Sequence, residues 1–308
     1  MPEPQEAPPV RVMFARFPGG HVDRDDVTDW LVGAVLAAKA DPRIQPDILN
    51  WRRTDTPITM VRNLCIEVAK SEQVDFLIMV DNDMKPDAYL PSNPYAMAHC
   101  PAAKPFFQSS FDFAYQQRLA GKPCVIGAPY CGPPPCENIY VFQWANWETG
   151  GPEDNADIKL EQFTREQAAT MRGIQEVAAL PTGLIILDMR CIAENEPPYF
   201  YYEWKDKTES EKASTEDVTF TRDTALHGCT QYCNWDAWAG HWKQKCVGRP
   251  MQLTARSISQ RFRNRVLAQY NIQPGEELIT VGNGKPTRQP GTCPPARANQ
   301  PELQSGSL

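Results

Sequence analysis

The run Phe76-Leu77-Ile78-Met79-Val80, bounded by Asp75 and Asp81, constrains the fold of this chain more than any other feature. A strand with one wet face alternates apolar and polar residues. A strand that is apolar throughout must be covered on both faces, as in the centre of an α/β layer structure. The preceding sequence agrees. VRVMFA (10–15) reads as a first strand ending at FPGG. Residues 26–40 set Val27, Trp30, Leu31, Ala34, Val35 and Ala38 on one helical face, and PDILNW (46–51) is a second strand. A second helix, N-capped by Thr59, is expected to bury Met60, Val61, Leu64, Cys65 and Val68. Strand, helix, strand, helix, strand over 10–80 predicts a parallel sheet with helices on its faces.

The rhythm loosens afterwards. A short helix is expected near 110–120, a strand in CVIGAPY (124–130), and another in FQWANW (142–147). An acidic helical segment falls at 161–172, a turn feeding a buried strand at LPTGLIILD (180–188), and a capped helix at 214–227, closed by Gly228. Prolines number 29 and gather at the N-terminus, around 86–105, at 129–135 and after 274, marking loops or tails. The expected organisation is a disordered segment at 1–9, a globular domain at 10–250, a helix at 251–273 and a disordered tail at 274–308.

Charge narrows the functional classes. The formal net charge is −7 and the pI about 5.3, which argues against a coat on nucleic acid or a polybasic membrane binder. No apolar run approaches the roughly 20 residues of a membrane helix. MPEPQEAPPV also lacks the basic-then-apolar order of a signal peptide, so the expected location is cytoplasmic. The ten cysteines are accordingly expected as buried reduced thiols. Cys131 and Cys136, or Cys229, Cys233, His241 and Cys246, fit zinc-site spacing poorly.

The segment FLIMVDNDMKPD (76–87) carries the strongest chemical signal. Ligands of open α/β sheets bind beyond the carboxyl ends of the strands, where Asp81 and Asp83 would lie. Two carboxylates at that spacing suit a hard divalent cation that completes its shell with water and diphosphate oxygens. A bare Asp-x-Asp is more often only a polar turn; its place after the central strand favours the metal.

With Arg62-Asn63 on the preceding helix and Asp81-Asn82-Asp83-Met84 after the strand, the sequence resembles glycosyltransferases of the GT-A fold, particularly compact bacterial and phage family-2-like enzymes. The resemblance continues through VIGAPY (125–130), the Thr182-Gly183 turn, Glu216-Asp217 in STEDVTF, and His241 in WAGHWK, and covers roughly 10–245. It implies an α/β, Rossmann-like, mostly parallel sheet flanked by helices, with irregular Pro-rich insertions. It also implies transfer of a sugar from a nucleotide-diphosphate sugar to a hydroxyl acceptor, with Mn2+ or Mg2+.

By the same resemblance Asp83 is the more direct metal ligand, His241 a further one, and Asp81 a ligand or a contact to the ribose. Arg62, Asn63, Pro18 and Gly183 fall on the donor side; Arg62 would meet phosphates, and the loop at Phe17-Pro18 would lie beside the base. Asp217 becomes the general base of an inverting transfer, with Glu216 beside it. Ser/Thr-x-x-Glu/Asp is equally a helix cap, and carboxylates in a first turn are favoured by the helix dipole without any catalytic task. Trp144, Trp147, Trp204, Trp235, Trp238 and Trp242 offer stacking faces, although most are expected to serve packing.

Three other functions compete: a nucleotidyltransferase, a non-catalytic glycan- or nucleotide-binding protein on the same fold, and a scaffold docking through Arg256, Arg261, Arg263 and Arg265. FPGGH lacks the basic residues of a nucleotidyltransferase phosphate loop. A pure binder gains nothing from a base such as Asp217.

Overall fold

The computed structural model describes residues 7–19, 23–93, 102–132, 138–144, 160–205, 212–242, 277–279 and 287–289. The chain divides into two units, 1–244 and 245–308. The first begins β1 (Val12–Phe17), α1 (Asp25–Ala40), β2 (Leu49–Arg52), α2 (Ile58–Ser71), β3 (Phe76–Asp81), β4 (Met84–Lys85), α3 (Phe106–Leu119) and β5 (Cys124–Gly127). It continues β6 (Phe142–Trp144), β7 (Leu160–Gln162), α4 (Arg165–Thr170), β8 (Ile174–Glu176) and β9 (Leu184–Asp188). Then follow a 3-10 turn (Met189–Ile192), β10 (Glu203–Trp204), β11 (Lys212–Ser214), α5 (Glu216–Leu226), β12 (Thr230–Asn234) and β13 (Gly240–His241).

The apolar run is an interior strand of the first unit, as its composition requires. The main sheet has the order β2-β1-β3-β9-β5-β12-β8. Period-2 alternation sends Phe76, Ile78 and Val80 to a core shared with α1 and α3, where Trp30, Phe106 and Phe111 pack. Leu77 and Met79 face the opposite core with Val61, Cys65 and Ile66 of α2 and Phe220 of α5. Each such fully buried side chain contributes about 1.5–3 kcal/mol over its exposed state. The fold is α/β: a mixed, mostly parallel sheet flanked by helices.

Strands β2, β1, β3, β5 and β12 run one way, while β9 and β8 run the other. The reversal of β9 matters for the site. Its first residue, Leu184, pairs with Val80, and the Asp81 N–H donates to the Gly183 carbonyl at 2.8 Å. The Thr182-Gly183 turn therefore abuts the carboxyl end of β3.

Two expectations about α2 are corrected. Pro57 occupies the N-cap position and makes no side-chain cap bond, so Thr59 lies inside the helix. The buried stripe is Val61, Arg62, Cys65, Ile66 and Ala69, whereas Met60 and Leu64 are exposed. Val61 and Cys65 are buried as expected, but the face extends to Ile66 and Ala69 and not to Met60 and Leu64.

Elsewhere, α4 is closed by a Thr164–Gln167 capping box. The reduced-thiol expectation fails for Cys191 and Cys229, which form a disulfide; Cys65, Cys124 and Cys233 are buried free thiols. In the second unit, β14 (Glu277–Ile279) pairs antiparallel with β15 (Thr287–Gln289) inside the expected tail. The segments 1–6 and 251–273, with their expected disorder and Arg-bearing helix, lie outside the described residues. No helix among the described residues is long and apolar enough to cross a membrane.

Candidate active site

The carboxyl ends of β1 and β3, the N-terminus of α5 and the β13 region line a cleft of about 910 Å³. Phe17-Pro18 enter from β1, Asp81-Asn82-Asp83 from β3, Pro181 from the turn before β9, and Thr215-Glu216-Asp217 from α5. His241 arrives by pairing: β13 lies antiparallel to β4, with His241 opposite Met84, so its ring comes beside Asp83. Residues far apart in sequence thus meet at the edge where α/β sheets bind ligands.

Arg62 sits beneath this edge, 2% exposed. Its Nη2 donates to Asp81 Oδ2 at 2.7 Å and its Nη1 to Asp217 Oδ1 at 3.0 Å, with Glu216 Oε1 at 3.7 Å. Burial alone would lower the guanidinium pKa; Asp81, Asp217 and Glu216 more than reverse this and raise it. Thr182, fully buried, also donates its hydroxyl to Asp217 Oδ1. Arg62, expected on the donor side, lines the cleft, and both of its terminal nitrogens are engaged by carboxylates.

Burial first, then the charges of Asp83 and Asp217, push the Asp81 carboxyl up to about 6 against the pull of Arg62. Asp81 Oδ1 is buried without a hydrogen-bond partner. Glu216 is raised as well, first by burial and then by the charge of Asp217.

Asp83 and His241 form a distinct pair. His241 Nδ1 lies 2.8 Å from the Cys131 carbonyl oxygen, which only accepts, so Nδ1 carries a hydrogen. In the neutral ring Nε2 then presents a lone pair to Asp83 Oδ2, 3.1 Å away. Two facing acceptors are reconciled by a proton or by a shared cation. Two cis ligands about 2.1 Å from one ion lie about 3 Å apart, and a histidine bonded through its other nitrogen to a carbonyl is the usual outer support of a metal ligand. The pair fits a divalent cation.

Asp81 was expected as a third ligand, yet its Oδ2 faces Arg62. Among the described residues no three His, Cys, Asp or Glu groups converge into a ready-made metal shell. A cation that keeps its waters and takes phosphate oxygens needs only one or two protein ligands.

The remaining donor-side expectations divide. Pro18 lines the cleft. Asn63 does not: its Oδ1 accepts from the Tyr199 and Phe200 N–H groups, both at 2.8 Å, and its Nδ2 donates to the Phe200 carbonyl at 2.9 Å. It clamps that loop to α2. Gly183 is buried behind the cleft; a Cβ there would lie 2.6 Å from the Tyr130 hydroxyl and 3.0 Å from Met84 Sδ. Its smallness lets β3, β9 and Tyr130 close up, which is a packing task.

Sequence reasoning missed Thr182, Tyr130, Tyr140 and Arg24 as site residues. Tyr130 packs edge-on to His241, with ring centroids 4.7 Å apart. Thr182 and Tyr130 lay within the motifs already singled out, but nothing local marks which side chain of a turn faces a cleft. Among the tryptophans, Trp235 is core, while Trp242 is 44% exposed and lines the cleft.

No family model and no curated protein matches the sequence. Among solved structures, the chain is similar to A197 from STIV, at 16% identity and a TM-score of 0.42 over 78% of this chain and 98% of that one. It is also similar to GalNAc-T7 solved with UDP, GalNAc and Mn2+, at 10% identity and a TM-score of 0.35 over 84% of this chain and 48% of that one. At that similarity neither structure carries an argument about the site.

Proposed function

We propose that this chain is a glycosyltransferase of GT-A type, moving a sugar from a nucleotide-diphosphate sugar to a hydroxyl acceptor with inversion. The observation that carries the reading is the Asp83–His241 pair, its tautomer set by the Cys131 carbonyl, in one cleft with the Arg62-anchored carboxylate Asp217.

Asp83 and His241 would hold Mn2+ or Mg2+, which when bound stabilises negative charge on the departing diphosphate. Every other task falls to the protein. Arg62 and Thr182 fix one oxygen of Asp217 and leave the other to take the acceptor's proton. The acceptor oxygen bonds to the anomeric carbon as the carbon–oxygen bond to the diphosphate breaks, and the diphosphate leaves with that electron pair. Asp217 is 26% exposed, so an acceptor has access to it. Arg62 orders Asp217 and Asp81 at the floor of the cleft.

The test is donor turnover by the full chain across a panel of nucleotide sugars, with and without manganese. The expected result is release of nucleoside diphosphate that requires the metal and disappears in Asp83→Asn. Formation of nucleoside triphosphate and sugar 1-phosphate on addition of pyrophosphate would instead identify a nucleotidyltransferase. Tight donor binding without turnover for any donor or acceptor would identify a binding protein.

A further inference from the structure

We propose that Arg24, at the head of α1, is the residue that grips the diphosphate of the donor, a role that rests on the glycosyltransferase reading. The reason begins with charge. The donor's diphosphate carries two negative charges and gains a third as the sugar departs, more than one dication balances, and the cleft wall is itself rich in carboxylate: Asp81, Asp83, Glu216 and Asp217. An anion can settle there only beside a cation that those carboxylates have not already claimed.

Arg62 does not qualify, since Asp81 and Asp217 hold both of its terminal nitrogens. Lys85 is bound to Asp26, 3.2 Å away. Arg24 lines the cleft, and among the described residues its guanidinium has no carboxylate partner. It lies over the indole of Trp242, 5.1 Å from the ring centroid.

This cation stands on a built support. The Arg24 N–H donates to Asn82 Oδ1 at 2.9 Å, tying its root to the middle of Asp81-Asn82-Asp83. The Trp242 N–H donates to the Asp83 carbonyl at 2.7 Å, and its Nε1 donates to Asp26 Oδ2 at 2.8 Å. The exposed indole is therefore fixed at both ends, and it holds a planar guanidinium beside the candidate metal pair. A guanidinium keeps its charge at every working pH and matches two phosphate oxygens at once. Stacking restricts its rotamers in advance, so less freedom is lost when the anion binds.

Calorimetric titration of manganese, then of inorganic pyrophosphate in saturating manganese, tests this on the full chain without knowledge of base or sugar. Arg24→Gln should weaken pyrophosphate binding about ten- to a hundredfold, as expected for loss of a charge-assisted contact. Manganese affinity and the melting temperature should not change, and Arg24→Lys should recover part of the loss. Wild-type affinity for pyrophosphate in Arg24→Gln, with binding lost in Asp83→Asn, would overturn the Arg24 assignment and leave the glycosyltransferase reading standing. Loss of manganese affinity or of melting temperature along with pyrophosphate in Arg24→Gln would make Arg24 structural and overturn the assignment too. If the wild type binds neither manganese nor pyrophosphate, the glycosyltransferase reading falls and takes the assignment with it.

Discussion

At the scale of single residues, the site turns on one buried cation shared by three carboxylates. Arg62 touches Asp81 through one nitrogen and Asp217 through the other, so neither acid is presented to the cleft as an isolated charge. Breaking such a buried group by removing one partner usually costs several kcal/mol. Conservative amides are therefore the informative changes. Asp217→Asn keeps an oxygen for Arg62 and Thr182 but cannot take a proton. We expect turnover to fall about 10²–10⁴-fold with donor affinity nearly unchanged, measured as separate kcat and binding constants. Glu216→Gln should be milder, because Glu216 stands farther from Arg62 and is not held by Thr182. A dead Glu216→Gln beside an active Asp217→Asn would reverse the two roles. Normal transfer by both would leave the carboxylates as first-turn helix residues without a catalytic task.

At the scale of elements, helix starts decide where functional groups stand. The first turn of α5 carries Glu216 and Asp217 into the cleft, and no side chain caps it locally. Helix α3 likewise lacks a local cap. Its first N–H, that of Phe106, donates to Asp87 Oδ1 at 2.7 Å, so a loop residue after β4 closes the helix from a distance. Burial pushes the Asp87 carboxyl up to about 6, against the Phe106 N–H and a Trp30 contact that pull it down. The folded state thus binds this proton more tightly than the unfolded chain. The stability it contributes is fully present below the ordinary value of 3.8 and is lost as pH rises through about 6. Asp87→Asn retains the acceptor, tolerates the left-handed φ of 54°, and removes the buried charge. It should raise the melting temperature at about pH 7.5 more than at about pH 4. Asp87→Ala should lower it at both, by about 1–3 kcal/mol of stability for the stranded Phe106 N–H. Equal pH slopes for wild type and Asp87→Asn would show that Asp87 is ordinary in its titration.

At the scale of the whole molecule, the disulfide links the turn after β9 to the start of β12. The two ends are 38 residues apart in sequence, and α5 lies between them. Closing a loop of that length restricts the unfolded chain by about 4 kcal/mol in the entropic treatment, and measured values commonly fall nearer 2–4. Reduction, or paired Cys191→Ser and Cys229→Ser, should lower the denaturation midpoint accordingly while the cleft keeps its manganese affinity. Thiol counting before and after reductant checks that the bond is present. A midpoint indifferent to reductant, with the bond demonstrably formed, would remove it as a source of stability.

Local periodicity carried much of this architecture. The unbroken apolar run at 76–80 required cover on both faces, and the order of strands and helices over 10–80 required layers. Asp81 and Asp83 at a strand end, and Glu216 and Asp217 in a first helical turn, could be located from neighbours within a few positions. Tertiary structure decided what those groups touch. Arg62 was legible as a residue of α2, but its burial was not, because Asp217 lies 155 positions away. His241 owes its tautomer to a carbonyl 110 positions away, and the reversed β9 brings Thr182 to Asp217. Side-chain spacing along a helix or strand is set by short-range geometry that every segment carries in itself. A pairing between remote charges or strands is fixed only when register and topology close, and no segment alone contains that information.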